Sequence, residues 1–462
     1  MAPLFPQNCS NYMVLTPEKA SIFNLIRFLW SGHIPEGEEA FVHFPKGKKD
    51  ANLPRKLIVF LSLIAQVFLS WVNIPLKIFG FLFELWLNLL ALNGNLLGVI
   101  LTIIHGKKLI LPYTRSPTYR SVLGFIDTRV ELDKSIKPGD IRYTKELAAM
   151  ASKLSYENRA FVKTIVTNHW EMELIDFYDL WNDTQKKYTT QAFMMKDKTS
   201  DPNIVVVAFR GTEPFDADAW STDVDISWYE YPGMGRIHGG FLKALGLQEN
   251  GFPLEIEQDP DHPVAYYTLR EQLRSSFENE KNTRFIVTGH SLGGALAILF
   301  ASILTLHEEK LLLERLEGVY TFGQPRVGDD CFKVYMEEQL KIYDVKYERI
   351  VYCNDLVPRV PADDPTLLFK HFGMCFYYNS FYSVQIVNEV PNKNYFDLSD
   401  TISKHLNAVW EFIRGFIIPF VKGPEYKESW TLKALRVFGL IIPGVSAHNT
   451  QDYVNVTRLG SF

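Results

Sequence analysis

The longest apolar stretch in the chain runs from residue 57 to 104, where only Lys77 and Glu84 carry charge. They divide it into Leu57–Leu76 and Leu85–Ile104, 20 residues each. That is about the helix length needed to cross a hydrocarbon layer of ~30 Å. Pro75 and Lys77 end the first run, where a chain turns or kinks. Arg55 and Lys56 precede the pair and Lys107 and Lys108 follow it. Basic flanks favour the cytoplasmic side, so the pattern predicts an even number of passes and hence a helical hairpin. Further on, Tyr143–Tyr156 puts Leu147, Met150, Ala151 and Leu154 on one stripe and predicts an amphipathic helix. From residue 203 the pattern changes to short apolar runs ending in turns: Asn203–Phe209, Arg284–Thr288, Gly318–Phe322 and Arg349–Cys353. Such runs, with helical stretches between them, belong to strands covered on both faces. The predicted fold class is therefore α/β, with a mostly parallel central sheet preceded by an N-terminal membrane-associated helical hairpin.

Four regions follow from this patterning. Residues 1–56 read as an N-terminal interfacial or linker region and 57–108 as the apolar hairpin. Residues 109–200 read as the helical N-terminal part of a catalytic region, and 201–462 as its α/β domain. The last carries an aromatic insertion at about 366–445. Within it, Val409–Val421 and Leu432–Val445 are too short to span a bilayer, and read either as core helices or as pieces lying in an interface.

Composition narrows the partners. The 48 basic and 53 acidic side chains leave a formal charge of −5, which excludes the basic footprint of a nucleic-acid binder. Four scattered cysteines in 462 residues suggest no disulfide framework and favour a reducing compartment. Nothing in the sequence points to a metal or organic cofactor.

Chemistry enters at Gly289-His290-Ser291-Leu292-Gly293-Gly294, which follows one strand candidate and precedes a helix-forming stretch from Ala295. Strand, sharp turn and helix around G-x-S-x-G is the context of a nucleophile elbow, with Gly289, His290 and Gly293 flanking Ser291. Small residues are required there because a Cβ beside the serine would meet strand or helix. A serine hydroxyl attacks only when a base takes its proton, so a carboxylate and then a histidine are expected downstream. Asp355 follows the Arg349–Cys353 run, at a strand's C-terminal end where α/β folds place working residues. Asp344, Asp363 and Asp364 are alternatives in polar surroundings. His448 lies in a small-residue loop after the last hydrophobic stretch, with His371 and His405 the alternatives.

The elbow, Phe209-Arg210-Gly211-Thr212, His238-Gly239-Gly240-Phe241 and Thr321–Gly328 together resemble the fungal-lipase-like class 3 lipases. Asn354-Asp355-Leu356-Val357-Pro358 and Ala447-His448 match that family's aspartate and histidine positions. With its apolar N-terminal module, the whole chain is similar to plant oil-body lipases, which act on triacylglycerol in lipid droplets of seed and pollen. The resemblance implies an α/β-hydrolase fold and a Ser291/Asp355/His448 triad. It also implies an oxyanion hole at Thr212 and Leu292 and a lid beginning at Glu213. Arg210 and His238 are expected in structural roles, at a turn and at a helix start. The implied activity is hydrolysis of storage neutral lipid at a droplet surface. Partners are then triacylglycerol and the lipid of a droplet or of the endoplasmic reticulum, where insertion begins, with the catalytic part facing the cytosol. A phospholipase A1, a di- or monoacylglycerol lipase, and a non-catalytic anchored protein are the alternatives. From Glu213 to about Tyr231, acidic residues alternate with Phe215, Trp220, Ile226 and Trp228, as an amphipathic cover requires.

Overall fold

The computed structural model describes residues 9, 11–31, 34, 40–45, 53–247, 254–278, 280, 282–363, 369–395 and 400–460; Asp364 lies outside them. Two strands come first, β1 (Asn11–Leu15) and β2 (Val42–His43). Then follow β3 (Glu173–Asn182), β4 (Lys187–Asp197), β5 (Asn203–Phe209), β6 (Trp228–Tyr231) and β7 (Gly235–His238). The rest are β8 (Thr283–His290), β9 (Leu316–Phe322), β10 (Lys346–Tyr352), β11 (Met374–Tyr378) and β12 (Val384–Val387). Eight of them form the main sheet in the order β12-β11-β10-β9-β8-β5-β4-β3. Its centre, β5-β8-β9-β10-β11, is parallel, while β12, β4 and β3 are antiparallel margins.

From Ile204 to Phe209 the central strand β5 is apolar at every position because both faces are covered. Along β5, Val205, Val207 and Phe209 enter one core cluster, and Ile204, Val206 and Ala208 enter the other. Successive side chains alternate across a sheet, so an unbroken apolar run means two buried faces. The helix Leu292–Leu306 covers the first face and Tyr143–Leu154, the expected amphipathic helix, the second. Each fully buried aliphatic side chain contributes about 1.5–3 kcal/mol, which fixes strand register and with it the strand ends.

Three expectations are revised. The region 109–200 is not simply helical, because it supplies β3 and β4, which extend the main sheet. Residues 1–56 are not only a linker: β1 pairs with β6 in a smaller sheet of order β2-β1-β6-β7. The apolar segment does not turn at Pro75. A helix of 40 residues, Leu53–Leu92, runs through Pro75, Lys77 and Glu84, and the break falls at Asn93-Gly94 before a ten-residue helix, Asn95–Ile104. One missing backbone donor at Pro75 does not end so long an apolar helix. The two charges inside its apolar run find partners on the rest of the chain: Lys77 Nζ lies 2.7 Å from Asp218, and Glu84 accepts the Val122 N–H at 2.9 Å. Lys56–Leu92 is long and apolar enough to cross a membrane by length and composition.

Candidate active site

At the C-terminal end of β8 the chain reverses at Ser291, with φ 60° and ψ −131°. A non-glycine residue there costs about 1–3 kcal/mol. The turn is held by the Ser291 N–H donating to the Phe322 carbonyl at 2.8 Å. A Cβ on Gly289 would sit 2.1 Å from the Gly293 carbonyl carbon, and one on Gly293 only 2.3 Å from the Phe209 oxygen. Glycine at these two places is what lets the elbow lie between β5 and the helix Leu292–Leu306. Leu292 is the first residue of that helix, so its N–H has no intrahelical acceptor and lies at the positive end of the helix.

Asp355, fully buried beyond the end of β10, and His448 are brought together although 93 residues separate them. His448 Nδ1 lies 2.8 Å from Asp355 Oδ2 and donates to it, which leaves Nε2 as the basic nitrogen. The same carboxylate accepts the Val357 N–H at 2.9 Å and the Tyr453 hydroxyl. Among the described residues no hydrogen bond joins Ser291 to His448; such bonds are often long before substrate binds. The alternatives lie elsewhere. His371 is buried with Nε2 at 2.7 Å from the Pro358 carbonyl, and the exposed His405 bonds the Thr401 carbonyl. Asp363 pairs with Lys370 and Lys393.

His290 packs flat on His448, ring centroids 4.4 Å apart, and its Nδ1 meets the Tyr156 hydroxyl at 2.9 Å. Burial, with the charge of His448 beside it, holds the His290 imidazole well below its ordinary pKa. It is thus an uncharged plate that fixes the plane of the His448 ring. Gly323 completes the seat. Its φ is +63°, and a Cβ would come within 2.8 Å of Asp355 Oδ2 and 2.9 Å of both His448 Cε1 and the Tyr453 hydroxyl.

Thr212 follows β5 and is buried; its hydroxyl donates to Asp223 Oδ2 at 2.7 Å. Asp223 is half-buried, and its withdrawal from water pushes its carboxyl pKa up to about 7. It belongs to a short helix, Ala217–Val224, in the segment expected as a lid. That segment's end at Tyr231 is not free to move, because β6 is paired on both sides. The outer side of the short helix is gripped by the 40-residue helix. Asp218 accepts from Lys77 at 2.7 Å and from Asn73 at 2.9 Å, and also meets Lys187 at 2.9 Å. The Ser62 hydroxyl donates to the Val224 carbonyl at 2.7 Å, and Phe215 lies edge-on to Phe79 and Phe83. Ser291 is only 6% exposed.

Arg210 bonds Gln191 and Glu213 at 3.0 Å each, and His238 precedes the helix Gly239–Ala244, stacked on Phe241 at 3.9 Å. Both occupy the structural places expected of them. Tyr453, Asp223, Tyr156 and the role of Gly323 were not visible in the sequence. Gly323 alone carried a signal, as a glycine directly after a strand. No group of three or more His, Cys, Asp or Glu among the described residues is arranged to hold a metal.

Residues 206–364 match the class 3 lipase family. The triacylglycerol lipase OBL1 of Nicotiana tabacum is 39% identical over 98% of this chain and 95% of its own. The protein of the same name from Arabidopsis thaliana is 38% identical over 98% and 96%. Among solved structures, a mono- and diacylglycerol lipase from Aspergillus oryzae aligns with a TM-score of 0.41 at 18% identity, over 56% of this chain and 90% of that one. Relatives 38% and 39% identical cover 98% of the sequence, and the family's matched region contains the elbow and Asp355: the chain belongs to the class 3 lipase family.

Proposed function

We propose that the protein is a serine-dependent triacylglycerol lipase that hydrolyses storage neutral lipid at the lipid-droplet surface through an acyl-enzyme. The observation that carries this reading is the His448–Asp355 pair at 2.8 Å, assembled across 93 residues beside a serine on a strained elbow. In the reaction Ser291 Oγ attacks the ester carbonyl as His448 Nε2 takes its proton. Asp355 stabilises the imidazolium that forms. The tetrahedral oxygen receives the Leu292 N–H and donors of Thr212. His448 then protonates the departing glycerol oxygen, and water attacks the acyl-serine by the same route.

The triacylglycerol substrate is supported by full-length relatives that carry the name triacylglycerol lipase. The lid reading is supported by the low exposure of Ser291 and by the acidic and aromatic side chains of residues 213–231. Location follows from the long helix, whose polar groups are matched on the catalytic unit while Phe68, Trp71, Ile74 and Ile78 are exposed. In our reading the 57–108 segment enters the endoplasmic reticulum membrane first and then serves the droplet, with residues 109–462 on the cytosolic side. Basic flanks at both ends of the segment favour that sidedness.

The test offers the purified full chain triolein, diolein and phosphatidylcholine side by side and measures fatty-acid release. Triolein is expected to be hydrolysed. Release from phosphatidylcholine alone would replace this reading with a phospholipase A1, and release from none of the three would leave a non-catalytic anchored protein.

A further inference from the structure

The helix Thr401–Val421 is inverted relative to an ordinary surface helix. Its charged side chains, Lys404, Glu411 and Arg414, point inward with Ala408, Gly415 and Ile418. Leu406, Val409, Ile413, Phe416, Ile417 and Phe420 are exposed, at spacings of three and four that place them along one face. From Leu406 to Val421 every exposed residue is apolar. The helix Trp430–Gly439 repeats the arrangement, with Arg436 buried and Trp430, Val437 and Phe438 exposed.

The inward charges fix this orientation. Arg414 meets Asp452 at 2.7 Å and the Tyr352 hydroxyl at 2.7 Å. Arg436 meets Glu428 and Asp452 at 2.8 Å each and Glu411 at 3.3 Å. Turning the apolar face inward would break buried pairs and strand their charges, so the chain cannot cover this surface by rotating its own helices.

We propose that these two helices form a second lipid-docking surface, seated on the phospholipid monolayer that covers neutral lipid. The inference deepens the lipase reading and rests on it. Three features select lipid over a second protein. The outer face from Leu406 to Val421 has no hydrogen-bonding side chain, whereas protein interfaces carry about one hydrogen bond per 100–200 Å². Lys433 lies over the rings of Phe416 and Trp430, at 4.4 and 4.9 Å, a cation at the rim of an aromatic patch, as at a headgroup boundary. The surface is also continuous with both the anchor and the site. Leu432 packs with Leu123 and Ile126 of the short helix Val122–Ile126, whose Val122 N–H is held by Glu84 of the long helix. In the other direction Ile441 and Ile442, both exposed, lead through the helix Pro443–Ser446 to His448.

The test uses the full chain carrying Ser291→Ala, so that droplets are not consumed, and Cys331→Ser, which removes an exposed thiol. A polarity-sensitive dye is placed at Phe420→Cys, at Val437→Cys or at Lys310→Cys. Lys310 is exposed ahead of β9, at the end of the sheet away from Ser291. With triolein droplets coated in phosphatidylcholine containing a doxyl-labelled fraction, dyes at 420 and 437 are expected to be quenched several-fold more than the dye at 310. Equal quenching at all three positions overturns the proposal. So does a blue shift at 420 and 437 that is present without lipid and lost on dilution, which would mark a second copy. In the unlabelled enzyme, Phe416→Gln with Phe420→Gln should raise the emulsion concentration for half-maximal turnover at least about tenfold and leave turnover of dissolved tributyrin unchanged. Unchanged emulsion dependence would also overturn it. Because docking is read in an inactive protein, a lipase reading that failed on triolein would be seen separately, in the unlabelled wild type.

Discussion

The Thr212 hydroxyl has a single proton, and in this structure Asp223 receives it, at 2.7 Å. While the Asp223 carboxylate is ionised, that proton is not available to an oxyanion, and only the Thr212 backbone N–H is. A neutral Asp223 carboxyl instead donates its own proton to Thr212 Oγ1 and frees the hydroxyl proton for the developing charge. The Asp223 pKa of about 7 puts this exchange in the working range. At pH 6 about nine-tenths of the carboxyl is neutral, and at pH 8 about one-tenth. Losing one oxyanion donor costs about 10²–10³ in turnover. Thr212→Val, which keeps the backbone N–H, should therefore cost about 10²-fold at pH 6 and only about tenfold at pH 8. The measurement is kcat on a dissolved short-chain ester for wild type and variant across pH 5.5–8.5. Taking their ratio cancels the pH dependence that both share. A loss below about threefold at both ends would remove the hydroxyl from the mechanism, and a large loss with no pH dependence would refute the proton exchange while keeping the donor.

Other outcomes follow from the same geometry. Ser291→Ala should abolish fatty-acid release with the melting temperature retained, and His448→Ala and Asp355→Asn should each lower turnover by orders of magnitude, non-additively with it. Near-normal turnover in His448→Ala would overturn the triad. Gly323→Ala, which puts a methyl group within 2.9 Å of Asp355 Oδ2, His448 Cε1 and the Tyr453 hydroxyl at a φ of +63°, should lower both melting temperature and turnover, and a neutral result would discount that crowding. Because the folded pKa of Asp223 is raised, its stabilising contribution is full at acid pH and is lost as pH rises through about 7. Asp223→Asn should remove that slope from a plot of melting temperature against pH. Asp218→Ala breaks the contacts with Lys77, Asn73 and Lys187 and should raise turnover of a dissolved ester relative to emulsified triolein. An unchanged ratio would mean that the long helix does not restrain the cover.

Local rules determined what was legible in the sequence. The elbow could be read because its steric demand falls on residues adjacent in the chain: strand, glycine, serine, glycine, helix. The parallel strands β5, β8, β9 and β10 could be read because burial on both faces removes polar residues from consecutive positions. The margins β3 and β4 were hidden, since β3 at the sheet edge keeps polar residues among its apolar ones and shows neither clean period. Pro75, Lys77 and Glu84 suggested a break in the long helix. The tertiary structure removed it, because Asp218 and the Val122 N–H satisfy the two charges laterally. His448 could be suggested but not paired, for the distance from Asp355 is set by how the helices between them pack. Tyr453 and Asp223 were decided wholly by the fold. A hydrogen bond is specific at about 3 Å, while the sequence fixes separation only along the chain. In the helix Thr401–Val421 the sequence determined that apolar and charged residues take opposite faces. Only the packing of Arg414 and Arg436 against Asp452 decided that the charged face turns inward and the apolar face out.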